Sequence, residues 1–313
     1  MTHARVVLSG VTCAVALGLG GLIGPPGAAL ALLALPLPTL VVGGAAGAAH
    51  AAASSLAAGG VLGGLLGWPI GFSFLALAGL PAALAVLMLR RAWSLEPVLS
   101  AAVATTLLGA GAIALVVAPE TESWPAAIAA AWRASFDGAL ATYRDLGMSA
   151  EQIAELETQR DQLAHAAIRF LPALLLIGGA GLWLINLRLS ARWAAWPQMH
   201  ALSRWCLPDA VIWLLIASGF ALFVPNATVA VVAGNVFAVV IACYFVQGMA
   251  IITYFFERFS LPRTLRVATY LVIAFQQVVA GLVVALGVFD LWGDFRHLTA
   301  RPADAPVGPT SND

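Results

Sequence analysis

The chain has 313 residues, 61% apolar and 10% charged, with a mean hydropathy of +0.94. An ordinary soluble domain carries about a quarter charged residues, so this composition excludes one and describes a polytopic membrane protein. Basic and acidic residues balance at 15 each, which removes the net basicity of a nucleic-acid binder, and all 15 basic residues are arginine. Without lysine there is no Walker-A phosphate loop, pyridoxal-phosphate Schiff base or lysine nucleophile. Cys13, Cys206 and Cys243 lie far apart and form no zinc spacing or disulfide framework, so neither a metal nor a cofactor is expected.

From residue 6 to residue 89 there are 84 consecutive residues without Asp, Glu, Lys or Arg, where about 20 suffice to cross a bilayer once. Breaks at Gly24-Pro25-Pro26-Gly27, at the small-residue stretch Gly43 to Ser55, and at Gly67-Trp68-Pro69 divide this block into spans near 6–23, 28–46, 48–66 and 70–89. The first run continues into further apolar sequence without a cleavage site, so its helix is expected to be retained. Uncharged runs follow at 97–119, at 170–187, at 210–256 with a break at Pro225-Asn226, and at 267–289.

Between them, residues 119–169 hold eight acidic residues against four arginines. Ile128, Trp132, Phe136, Leu140 and Tyr143 recur every three or four residues and make one apolar helical stripe. Gly147 supplies a stop, and Ser149 with Gln152 three residues on forms a capping box for a second helix. The expected fold is all-α: a polytopic integral membrane helix bundle of eight or nine transmembrane helices with an external amphipathic helical hairpin. Its parts are a small-residue-rich block at 1–118, the hairpin at 119–169, a C-terminal block at 170–296 and a disordered tail at 297–313.

Arginines in short connections set orientation. Arg90 and Arg91, then Arg188, Arg192 and Arg204, then Arg258, Arg263 and Arg266 mark three cytoplasmic loops flanked by Trp93, Trp193, Trp196 and Trp205. The N-terminus then lies inside and the hairpin outside, which also sends the tail outside despite Arg296 and Arg301. The location expected is the bacterial inner membrane, multi-pass.

Glycines at spacing four, Gly20 with Gly24, Gly43 with Gly47, Gly59 with Gly63, Gly60 with Gly64 and Gly63 with Gly67, read as close-packing faces between helices. Polar groups inside apolar spans are costly, so each is a candidate for helix glue or ligand contact. These are His50 in the uncharged block, Asn235 and Gln247 in one long run, and Gln276 and Gln277 at the centre of the last span. Asn235 and Gln247 do not share a helix face; Gln247, beside Gly248, reads as the cavity-lining residue and Asn235 as interhelical glue. Asp209 reads as a helix cap, and Asp290, Asp294 and Arg296 as an interface anchor with a local ion pair. No Gly-x-Ser-x-Gly elbow, paired intramembrane carboxylates or His-Glu-x-x-His helix is present, so an enzyme is not expected.

Pro36-Leu37-Pro38, Gly79-Leu80-Pro81, Asn235, the run Tyr244 to Ala250 and the terminal stretch Leu286 to Arg296 resemble the YybS-type bacterial membrane proteins, a domain of unknown function. The resemblance covers about residues 5 to 296. That family is distantly similar to the substrate-binding subunits of energy-coupling-factor vitamin transporters and to the rod-shape protein MreD. The resemblance implies a substrate-binding or transport-type subunit for a small solute, working with separate ATPase and coupling subunits. The hairpin at 119–169 departs from a compact six-helix subunit of that kind. A structural or assembly factor of the bacterial cell envelope, with envelope proteins as partners, is the second expectation.

Overall fold

The computed structural model describes residues 3–20, 31, 33–117, 124–194, 196, 202–293 and 295–296, and every element among them is helical. The chain divides into two compact units, 1–199 and 200–313. This partition follows contacts, whereas the sequence-read boundaries follow changes in polarity.

The first unit holds α1 (His3–Gly20), α2 (Leu37–Ala46), α3 (Ala48–Leu66), α4 (Trp68–Arg90), α5 (Leu95–Val117), α6 (Trp124–Asp145), α7 (Ala150–Arg169) and α8 (Leu171–Ser190). Gly47 and Gly67, at φ +101° and +100°, end α2 and α3 in a region that side chains rarely adopt. Leu40, Ala82, Val86, Val98, Trp183 and Leu187 form one core, and Ala14, Ala58, Leu62, Phe74 and Ala78 a second. Gly71 faces the Gly59 carbonyl and Gly109 the Ala76 carbonyl, so these helices meet backbone to backbone.

Within α4 the helix widens to a π-turn at Leu75–Gly79 just before Pro81. Proline offers no N–H, so carbonyls one turn earlier lose their in-helix donor. A neighbouring helix replaces it at Leu77, whose carbonyl accepts from Thr106 Oγ1 at 3.3 Å; Ser55 Oγ adds a bond to the Gly79 carbonyl at 3.2 Å. Trp183 Nε1 donates to Thr106 at 3.1 Å, while Thr39, 2.9 Å from Ser55, donates to it because the serine proton is already committed. At one end of this unit Arg90 donates to the Gly43 and Gly44 carbonyls at 2.9 and 2.8 Å, closing the last turn of α2. Gly44 packs against Ala194 and Trp196 at the same end.

The α6–α7 hairpin forms with both halves of the capping box: Gln152 N donates to Ser149 Oγ and Ser149 N to Gln152 Oε1. Gly147 takes φ +86° at the turn. Of the expected α6 stripe, Leu140 is buried, Phe136 half-buried, and Trp132 and Tyr143 exposed; the Ile128 side chain lies outside the described residues.

The second unit holds α9 (Val211–Ala221), α10 (Ala227–Arg258), α11 (Arg263–Phe275) and α12 (Gln277–Gly293), preceded by a short 3-10 turn at Leu202–Arg204. Asn226 caps α10 through Val229 N. Gly248 and Gly287 bring α10 and α12 together, each facing the other helix's backbone at Val283 and Tyr244.

A helix occupies each of the nine stretches read as spans, but only six helices among the described residues are long and apolar enough to cross a membrane: α1, α3, α4, α5, α8 and α10. The count becomes seven if the last pair is one span, below the eight or nine expected. Helix α2 has 10 residues and α9 has 11, about 15 Å each and too short to cross alone. The stretch at 267–289 is not one straight helix either, because α11 and α12 meet at a 103° bend where Gln276 is extended at φ −108°, ψ 102°. Composition marks what lipid tolerates along a run; it does not mark where backbone direction changes.

Candidate functional site

In the second unit, residues 205–208 are neither helix nor strand, and their backbone needs partners that a helix would have supplied. Side chains of α10 and of the turn after α12 supply them. Gln247 Oε1 accepts from Leu207 N at 2.8 Å, and Arg296 Nη1 donates to the Ser203 and Trp205 carbonyls at 3.1 and 2.7 Å. Ser203 Oγ donates to Glu257 Oε2 at 2.7 Å.

Arg296 is held by an ion pair. Its Nη2 lies 2.7 Å from Asp290 Oδ2, with the two side chains 1% and 5% exposed. Gln247 Nε2 donates to the same oxygen at 3.1 Å, and Phe295 N donates to Asp290 Oδ1 at 3.2 Å. Arg296 Nε is buried with no partner among the described residues. Gln247 therefore bridges the non-helical segment to the charge pair, with its carbonyl serving one and its amide the other. It lies 11 residues before Arg258, about 16 Å along the α10 axis. A charge pair in so apolar a unit is held by its hydrogen bonds, and the exchange chemistry open to it is competition by another anion for the guanidinium.

The other candidates lie elsewhere. Asn235 Nδ2 donates to the Val231 carbonyl one turn back at 2.9 Å. Gln276 and Gln277 are exposed at the α11–α12 break, with Gln276 N on the Val272 carbonyl. His50, half-buried at the start of α3, stacks on His3 with ring centroids 5.0 Å apart and planes 21° apart. Among the described residues no group of three or more His, Cys, Asp or Glu could hold a metal. The five residues thus belong to four separate places, and only Gln247 joins the buried network. The expected local ion pair is present between Asp290 and Arg296; Asp294 lies outside the described residues. Ser203, Leu207 and Glu257 had no signal in the sequence, since a backbone amide and a loop serine become partners only through the fold. Asp209 is exposed ahead of α9.

An open apolar hollow of about 400 Å³ lies between α9 and α10, lined by Leu214, Ala217, Val229, Val232 and Ala233 among others. None of the five candidates lines it.

Apolar helices of spanning length, helix contacts made through glycine, and polar bonds that repair broken backbone define a multi-pass helical membrane protein. The chain belongs to the family described as predicted membrane protein (DUF2232), whose model matches residues 12–291. No curated protein and no solved structure matches the chain.

Proposed function

We infer that this protein is a non-enzymatic, substrate-binding or transport-type subunit for a small solute in the bacterial inner membrane. The observation that supports this reading is the non-helical segment at 205–208 beside α10, stitched to the Asp290–Arg296 pair through Gln247. Non-helical backbone and ionisable side chains buried against a spanning helix are the kind of place where transporters hold solutes and coupling ions, because irregular backbone is tolerated there only when protein or a cavity satisfies it. Lacking a lysine-bearing phosphate loop, the chain would draw energy from ATPase and coupling subunits or from an ion gradient.

The test combines purification from native membranes with thermal-shift screening against vitamins, small anions and metal ions. The expected result is a co-purifying ATPase or coupling protein, or a solute that raises the melting temperature of the parent but not of Asp290→Asn. Neither partner nor stabilising solute, with a normal nutrient requirement in a deletion strain, sinks the reading.

The close glycine contacts and the acidic hairpin favour a second reading, an envelope structural or assembly factor. It requires altered cell shape or envelope integrity on deletion, with solute uptake unchanged.

A further inference from the structure

The 103° bend at Gln276 sets α11 almost at right angles to α12. Helix α12 packs along α10, an apolar helix of 32 residues and about 48 Å, long enough to cross a bilayer by itself. A helix perpendicular to such a pair runs along the membrane plane. The contacts of α11 agree: Arg266 donates to the Phe256 and Leu261 carbonyls at 3.1 and 2.9 Å, and the Tyr270 ring sits 5.6 Å from that of Phe256, its hydroxyl 3.3 Å from Thr253 Oγ1. Across these residues α11 stays on the last two turns of α10, at the end that carries Glu257 and Arg258, instead of descending along it.

The two faces of α11 differ in chemistry. Arg266, Thr269, Tyr270 and Ile273 turn inward, whereas Leu265, Val267, Leu271, Val272 and Phe275 are 48% to 84% exposed and cover the opposite face. Arg263 at the start of α11 and Arg258 at the end of α10 are exposed beside it. Apolar side chains on one flank with arginines at the border are what a helix needs to rest in the boundary between headgroups and acyl chains of an anionic bilayer.

We propose that α11 is an interfacial helix, lying in the membrane plane at the Arg258 end of α10, with its Val267–Leu271–Phe275 flank in the acyl chains and Arg258 and Arg263 on anionic headgroups. The proposal rests on the multi-pass class alone and not on the transport reading. It gives the bend a purpose that one continuous span would not have.

The test places a bimane fluorophore on single cysteines at Val267, Leu271 or Phe275 in the full chain with Cys13, Cys206 and Cys243 replaced by serine. Val278, Leu282 and Phe289 on the exposed side of α12 serve as controls. The protein is reconstituted in vesicles of phosphatidylcholine and phosphatidylglycerol, and depth is read by quenching from lipids carrying nitroxides at different acyl positions. The three α11 positions should report one shallow depth, whereas the α12 positions should change depth by about 6 Å for every four residues. A graded series along α11 matching that of α12 overturns the proposal. Quenching at Val267 by headgroup-labelled phosphatidylglycerol should exceed that by labelled phosphatidylcholine, and the preference should fall about fivefold for each of Arg258→Gln and Arg263→Gln. Equal quenching by the two lipids in the parent protein overturns the headgroup assignment.

Discussion

Asp290 belongs to a local ion pair whose presence is legible in the sequence and to a wider network that is not. A pair between Arg296 and Asp290 or Asp294 is legible, because opposite charges at the end of an apolar run have few other partners; that Asp290 takes it is a result of the fold. The pair's link to residues 203–207 is not legible, since the backbone groups concerned carry no side-chain signal and lie about 90 positions away. Replacing Asp290 by Asn leaves a buried guanidinium without its counter-ion, a loss of about 3–5 kcal/mol when one partner of a buried pair is removed. The expected result is a marked fall in melting temperature in detergent, with Asp290→Leu/Arg296→Met more stable than either single variant because no charge is left alone. Additive losses in that cycle would show that the two groups do not act together. Gln247→Leu strands Leu207 N and one bond to Asp290, so it should destabilise by about 1–3 kcal/mol. A Gln247→Leu protein as stable as the parent would mean that the bridge does not hold the segment.

At the scale of elements, spacing alone chose the wrong glycines in part. Gly60 and Gly64 share a helix face as read, yet a methyl group added at either meets nothing within 4 Å among the described residues, while Gly43 and Gly59 press on Val86 and Leu75. Gly24, the partner read for Gly20, lies outside the described residues. A four-residue repeat identifies a face but not its neighbour, which only the packed bundle decides. Gly248→Ala and Gly287→Ala should therefore force α10 and α12 apart and cost about 1–3 kcal/mol each, while Gly60→Ala and Gly64→Ala should leave the melting temperature unchanged or raised. Equal melting of all four variants would remove close backbone approach as the reason for these glycines. The α7 cap was fully legible, because a capping box needs only residues three apart; Ser149→Ala should cost about 1 kcal/mol. The Arg144–Glu157, Arg160–Asp137 and Arg133–Asp161 pairs that tie the hairpin are exposed and contribute little each. The bend at Gln276 had no proline or glycine to announce it, which explains why 267–289 reads as one span.

For the whole molecule, composition decides the class and arginines suggest the direction, but the first unit's geometry adds an independent constraint on topology. Arg90 bonds the Gly43 and Gly44 carbonyls, and Gly44 meets Ala194 and Trp196, so the loops after α4 and α8 share one end of that unit. From that end α5 leads away for 23 residues, about 34 Å, before the hairpin begins, and α8 returns over 20 residues. The hairpin and the loop bearing Arg192 are thus separated by one crossing whatever the orientation. The expectation from the arginine asymmetry, with eight acidic residues against four arginines over 119–169, is the hairpin outside and the loop in the cytoplasm. In a background without the three native cysteines, Ser149→Cys should react with a membrane-impermeant maleimide in intact spheroplasts, and Arg192→Cys only after permeabilisation. The reverse pattern inverts the orientation but keeps the fold. Labelling of both positions in sealed cells is the outcome that breaks the argument, because it places on one side two sites that α5 and α8 hold about a bilayer apart.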